Sequence, residues 1–306
     1  MKIAVIGPGA MGLLYGAKLS ENANVVLIGN NEKHIDEINA NGVTVKRAGN
    51  EKKYNVKAFL NGKYNEIVDV VILFTKAYLT ESAIAENPEI IGEKTVLLTL
   101  QNGAGHDKVL EKFTDKSHIL IGTTQQGSYR ENFHTIVNSG LGETAIGSVD
   151  KNFENKNLIC DLFEKSGFPC VFSDDIYKMI WNKLMINASS SVLSGVLQVN
   201  QGFIAENEFA WELCKKLIYE ICEAAGSCGY HFDVLQQTER IYKHLKNAPG
   251  GYTSIYSDIK NGRKTEVDFI SGAVLNAAKA AGKTALNQEF IVQAVHALEG
   301  KAMEVK

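Results

Sequence analysis

The apolar positions of the 306-residue chain fall into two regimes. Up to about Ser173 short apolar runs alternate with helical periods; beyond it, periods of 3.6 dominate and strand-like runs vanish. Residues 1–6 predict a strand, 10–20 a helix and 25–28 a second strand, which is a βαβ unit. Residues 68–74 form a continuous apolar run of the kind buried in a parallel sheet. Strands are also expected over 95–100 and 119–124, with 43–46 and 54–59 pairing around a polar turn. Two more, 135–137 and 143–146, flank Gly140; a helix over 155–165 and a strand over 169–172 then close the sheet. The second regime predicts helices over 176–196, 203–228, 232–245, 266–281 and 287–303. The chain is thus expected to divide into an α/β domain, 1–174, and an all-α domain, 175–306.

Between the first strand and helix lies Gly7-Pro8-Gly9-Ala10-Met11-Gly12. Alone such a motif is weak, but a strand before it and a βαβ unit around it are the context a Rossmann-type dinucleotide site requires. Gly7 permits the tight turn, Gly9 lets a pyrophosphate approach the backbone, and Gly12 lets the helix pack closely. The N–H groups and dipole of the helix would hold the phosphates, although Pro8 removes one N–H. After the second strand comes Gly29-Asn30-Asn31-Glu32-Lys33-His34. An acid there would hold the ribose of NAD, and an arginine the 2′-phosphate of NADP. Asn30 is neither. The missing acid leaves room for NADP, with Lys33 or His34 as a source of charge, so NADPH is expected and NADH is left open.

Composition narrows the partners. With 45% hydrophobic and 22% charged residues the chain is an ordinary globular protein. A net charge of −3 gives no basic field for nucleic acid or an anionic membrane, and Arg240, Lys243, His244 and Lys246 read as a solvated helix face. No apolar run approaches the ~20 residues of a membrane span, and the apolar start is a strand feeding a glycine loop, unlike a leader peptide. Five cysteines without a Cys-x-x-Cys pair read as buried thiols in a reducing, cytoplasmic setting, with no metal site. A homodimer face on the helical half is left open, no apolar stripe deciding it.

Candidate chemistry gathers at strand ends and on one helix. Lys76 follows the strand over 68–74, and Gln101-Asn102-Gly103-Ala104-Gly105 follows that over 95–100. Ligands of open α/β sheets lie beyond such carboxyl ends, so Lys76 and Asn102 are expected to face one, in preference to a surface lysine and a plain turn. Lys183, Asn187 and Ser191 recur at i,i+4 on the helix over 176–196, a polar stripe on an otherwise apolar helix. Such a stripe faces solvent or lines a site, and the apolar cover favours a site. A lysine there needs a carboxylate partner. Downstream, Pro249-Gly250-Gly251 opens a loop into a helix at which Ser254 is either a cap or a binding group. Glu266 reads as a residue favouring the next helix N-terminus. Glu299 and the terminal lysines are read as solvent-facing.

Taken together, Gly7 to Gly12, Lys76, Gln101-Asn102-Gly103, Trp181-Asn182-Lys183 with Asn187, Ser254, and Lys264-Thr265-Glu266-Val267-Asp268 resemble the ketopantoate reductases (2-dehydropantoate 2-reductases) over nearly the whole chain. The resemblance implies a Rossmann-type domain joined to an all-helical domain for substrate and dimerisation. It implies NADPH-dependent reduction of ketopantoate to pantoate, on the route to pantothenate and coenzyme A. Lys183 matches the family's proton donor, and Glu266 the glutamate beside that lysine and the cofactor. Asn187 and Ser254 match substrate-binding positions, with Gly251 to Ser254 over the carboxylate. Lys76 and Asn102 match residues that contact the cofactor and border the reaction centre. Two departures stand out: Ser191 where the family usually has asparagine, and Gln201, preceded by Asn200, where it has another.

Two other functions are weighed. One keeps the hydride chemistry on a different substrate, a D-2-hydroxyacid dehydrogenase acting on other 2-oxo acids with NADH. The other is a nucleotide sensor without turnover, against which the retention of both Lys183 and Glu266 argues.

Overall fold

A computed structural model describes residues 1–150, 153 and 156–304. The chain separates into two compact units, one of residues 1–101 and 106–176, the other of 102–105 and 177 onward. The expected start of a helix at residue 155, and the last lysine, lie outside the described residues.

The first unit runs β1 (Lys2–Ile6), α1 (Ala10–Leu19), β2 (Asn24–Gly29), α2 (Glu32–Asn41), β3 (Val43–Arg47), β4 (Asn50–Tyr54), β5 (Lys57–Leu60) and β6 (Val70–Leu73). It continues with α3 (Thr80–Ala85), β7 (Val96–Thr99), α4 (His106–Leu110), β8 (Ile119–Thr124), β9 (Gly127–Arg130), β10 (Thr135–Gly140), β11 (Thr144–Ser148), α5 (Lys156–Lys165) and β12 (Cys170–Phe172). The main sheet has the order β12-β11-β8-β7-β6-β1-β2-β5. From β5 to β8 every pairing is parallel, so these six strands reproduce the 3-2-1-4-5-6 order of a dinucleotide-binding fold. The order reverses between β1 and β6, where the carboxyl ends open a crevice.

The pattern departs from expectation at residues 43–59. β3 and β4 form a hairpin turned by Ala48 and Gly49, both at positive φ. With β10 and β9 they build a separate four-stranded sheet, while β5 alone joins the main one. β1, β2, β6, β7 and β8 are apolar and buried almost throughout, as a sheet covered on both faces requires. Gly16 of α1 lets the helix approach, since a Cβ there would collide with Leu27 of β2. Tyr15 is buried, stacks on Phe168 at 4.1 Å, and its hydroxyl pairs with Thr124 Oγ1 (2.8 Å) and Thr144 Oγ1 (2.6 Å).

In the second unit α6 (Ile176–Ile186) passes through a single π turn, Asn187–Ser191, into α7 (Val192–Leu197). Then follow α8 (Gln201–Glu206), α9 (Glu208–Ser227), α10 (Val234–Asn247), α11 (Ser254–Lys260), α12 (Ser271–Ala280) and α13 (Leu286–Glu304). Two expected helices are broken. Asn200 and Asn207 each accept from the amide three residues on, capping α8 and α9 separately. Residues 267–269 form a 3₁₀ turn ahead of α12, with Ile270 at φ −102°, ψ −88° between them. The core of this unit includes Trp181, Met185, Leu193, Leu217, Ile218, Ile221, Ile241 and Val295.

Three further expectations are corrected. Arg240 donates to the Asn182 carbonyl (3.0 Å) and to Gln237 (2.8 Å), which ties it to the end of α6 rather than to solvent. Cys228 is exposed, though Cys160, Cys214 and Cys222 are buried. Glu299 is bonded to Thr265 and His296 rather than solvent-facing. No described helix is long and apolar enough to cross a membrane.

Candidate functional site

The loop between β1 and α1 offers backbone rather than side chains. Gly7 sits at φ +94°, and a Cβ there would press on the Thr75 amide at the end of β6. Its amide donates to the Ile28 carbonyl (2.9 Å), which fastens the loop to β2. Gly12 is required by the loop itself, because a Cβ would strike the Gly7 carbonyl. Gly9 differs from both: φ is an ordinary −73° and an added Cβ meets nothing within 4 Å. Neither strain nor protein packing calls for glycine at position 9, which leaves the backbone there open to close approach by a ligand. Gly9 also caps α1 without a side-chain bond, so no cap side chain engages the amides from Ala10 and Met11 onward. This loop therefore fits a dinucleotide pyrophosphate. Pro8 is explained by packing, since its ring lies 2.8 Å from where a Cβ on Gly29 would be.

Beyond β2, Asn30 is exposed, and Asn31 caps α2 by accepting from the His34 amide (2.9 Å). His34 does not supply the positive charge expected of it. Its ring is buried 5.3 Å from Phe133, and burial, reinforced by the Arg130 charge, holds its pKa below the usual histidine value. Lys33 is exposed and lies 5.7 Å over the same Phe133 ring.

At the end of β6, Lys76 is half-buried and opens a short 3₁₀ turn. The turn is set by Gln101, whose side chain was legible only as part of a motif. Its amide donates to the Thr75 carbonyl (2.7 Å) and Thr80 Oγ1 (2.9 Å), and its oxygen accepts from Thr99 Oγ1 (2.7 Å). One buried glutamine thus ties the ends of β6 and β7 together.

Residues 102–105 belong to the helical unit. Gly103 has φ +101° and a Cβ there would collide with the Phe269 carbonyl, which accepts from the Ala104 amide (2.9 Å). Asn102 is thereby held beside the turn that follows Glu266.

Lys183 lies in the last turn of α6, partly buried. Burial pushes its pKa down to about 8, and the Glu266 carboxylate opposes that shift. Glu266 is 7% exposed. The carboxylate sought in the sequence for Lys183 is therefore Glu266. Asn187 follows one α-turn later and begins the π turn; Ser191 ends it, so the three do not form the uniform i,i+4 stripe expected. A widened turn disrupts the carbonyl ladder, and side chains compensate: Gln288 donates to the Ala188 carbonyl (2.9 Å) and Thr253 Oγ1 to that of Ser191 (3.2 Å). Ser189 and Ser190 bond back to the Met185 and Ile186 carbonyls. A run of three serines was the available signal.

Thr253, not Ser254, caps α11, accepting from the Tyr256 amide (3.2 Å). Ser254 is exposed at the first helical position, so capping does not account for it. Gly251 is fixed by its carbonyl, which accepts from the Gln201 amide (2.9 Å). Asn200 is committed to capping α8.

Known proteins match this arrangement. The family model "Ketopantoate reductase PanE/ApbA" matches residues 3–151, and its C-terminal companion residues 175–299. A 2-dehydropantoate 2-reductase of Pyrococcus abyssi is 30% identical over 98% of this chain and 100% of its own. A D-mandelate dehydrogenase, solved with NADH and anilino(oxo)acetate, superposes with TM-score 0.93 at 29% identity, covering 99% of each chain. A PanE/ApbA family ketopantoate reductase of Ralstonia eutropha shares the fold, with TM-score 0.89 at 22% identity over 99% of this chain and 100% of its own. With both family models matching in order across its two units, the chain is an oxidoreductase belonging to the ketopantoate reductase family.

Proposed function

We propose that this protein reduces ketopantoate to pantoate with NADPH. The observation that carries the proposal is Lys183, a partly buried ammonium whose pKa is pushed down to about 8 and is supported by Glu266. A lysine of that pKa is charged at neutral pH yet gives up its proton readily, as a general acid should. A bound reduced nicotinamide supplies the hydride for the keto carbon. Lys183 stabilises the negative charge that develops on the carbonyl oxygen and protonates it, then recovers a proton from solvent. Glu266 keeps that ammonium charged between turnovers and contacts the cofactor. In this reading the first unit is the nucleotide-binding domain: Gly7, Pro8, Gly9, Ala10, Met11 and Gly12 hold the pyrophosphate, while Asn30, Lys76 and Asn102 complete the cofactor contacts. The helical unit is the substrate domain, with Asn187, Ser191, Gly251, Ser254 and Asn102 orienting the hydroxyl and carboxylate. A cytoplasmic setting and a homodimer are part of the same proposal.

A second reading, a D-2-hydroxyacid dehydrogenase using NADH, is favoured by two observations. Asn30 and a buried, neutral-leaning His34 leave Lys33 as the one cation of that segment for a 2′-phosphate, and D-mandelate dehydrogenase superposes closely. Steady-state oxidation of NADPH and NADH with ketopantoate and a panel of branched and aromatic 2-oxo acids separates the two. The proposal expects ketopantoate with NADPH to give the highest kcat/KM; a higher value for NADH with an aromatic or branched acid would transfer the assignment to the second reading.

A further inference from the structure

Glu266 is held in place by a network that no catalytic role of its own explains. The Glu299 carboxylate, on α13, accepts from the Thr265 amide (2.7 Å) with one oxygen and faces His296 Nδ1 (2.9 Å) with the other. His296 Nε2 faces Asp268 Oδ1 at 2.9 Å. Glu266 therefore lies between two residues tied to α13, Thr265 directly through Glu299 and Asp268 through His296. Both ring nitrogens meet carboxylate oxygens, and only the imidazolium can donate from both. Consistently, the hydrogen bond to Glu299, against burial and with help from Asp268, raises the His296 pKa. Burial works against the Glu299 charge, but the Thr265 bonds and His296 hold its pKa below the usual glutamate value. The charged groups facing the ring are Glu299 on its own helix and Asp268 on the segment packed against it. The two arms differ in strength: the Glu299 side chain is 10% exposed and that of Asp268 49%, so solvent weakens the second far more.

We propose that His296 is a positioning residue for Glu266: it holds Asp268 directly and fixes the Glu299 carboxylate that holds Thr265, and so keeps the Glu266 carboxylate turned to Lys183. The segment has its own internal bonds, Val267 amide to Thr265 Oγ1 (3.2 Å) and Phe269 amide to the Glu266 carbonyl (3.0 Å). They shape the turn, and the bridge fixes it on α13. The inference rests on the reductase reading for its purpose, and its test is independent of turnover. The full-length protein, reductively methylated with ¹³C, would be titrated by NMR, with the Lys183 signal assigned from Lys183→Arg. Glu266→Gln should move the Lys183 midpoint to lower pH. His296→Ala and the milder His296→Gln should move it the same way, by at least half as much, while His296→Arg, which restores a two-armed cation, should return it towards wild type. A Lys183 titration unchanged in whichever of the Ala and Gln variants folds would overturn the proposal, as would a shift that Arg fails to reverse in a folded protein. Absence of turnover with every 2-oxo acid would remove the reductase reading and leave this comparison to decide the positioning role.

Discussion

The glycine loop of the first unit and the Lys183 region of the second solve different problems with different parts of the chain. The loop presents backbone, and its demands are steric: Gly7 and Gly12 are fixed by collisions with protein atoms, and Gly9 leaves open space above the backbone. The Lys183 region presents side chains, and its demands are electrostatic: a partly buried ammonium, a buried carboxylate, and a helix widened by a π turn whose carbonyls are satisfied from outside. A steric device tolerates almost no substitution but is blind to pH. An electrostatic one tolerates shape changes and is governed by protonation.

The contrast is broken most directly by removing the ammonium. Lys183→Ala should cut turnover by roughly 10²–10⁴-fold, with nucleotide Kd from fluorescence titration nearly unchanged; a large loss of nucleotide affinity instead would mean that the two regions are not separable. The reciprocal change is Gly7→Ala. With φ at +94° and the Thr75 backbone in the way, it should cost about 1–3 kcal/mol in unfolding free energy and weaken nucleotide binding, while the alkaline limb of any residual activity stays where it was. Smallest is Tyr15→Phe, which removes the hydroxyl shared with Thr124 and Thr144. Because the two threonine hydroxyls still bond each other (3.1 Å), it should lower stability by only about 0.5–1.5 kcal/mol in urea unfolding and leave kcat at saturating substrate unaltered, which separates support of the fold from the site.

The same contrast explains what the sequence disclosed. Steric devices are local: Gly-x-Gly-x-x-Gly between a strand and a helix states its geometry within six residues, and five of the six parallel strands follow from short apolar runs, β5 being the exception. Lys183, Asn187, Ser254 and Glu266 were legible as residue types on helical periods and through the family likeness, but their surroundings were not. The π turn was hidden because Asn187 to Ser191 keeps an i,i+4 spacing on paper, and what satisfies it, Gln288 and Thr253, lies about 100 and 60 residues away. Separations of 34 and 28 residues likewise hid Glu299 and His296 as partners of the 265–268 segment. The hairpin of β3 and β4 was misjoined because residues 54–59 look like one strand, although β4 ends at Tyr54 in one sheet and β5 begins at Lys57 in another. The role of Ser254 was left open for a simpler reason: Thr253 and Ser254 are both good caps, and only the backbone dihedrals choose between them.

The most direct test of the Lys183–Glu266 pair is the pH dependence of kcat/KM for 2-oxo acid reduction, in the wild type and in Glu266→Gln. Reduction needs the lysine protonated, so the rate should be full below its pKa and fall as pH rises through about 8. The Glu266 charge raises that pKa, so its removal should move the alkaline limb to lower pH. An alkaline limb at the same pH in both proteins would contradict the account.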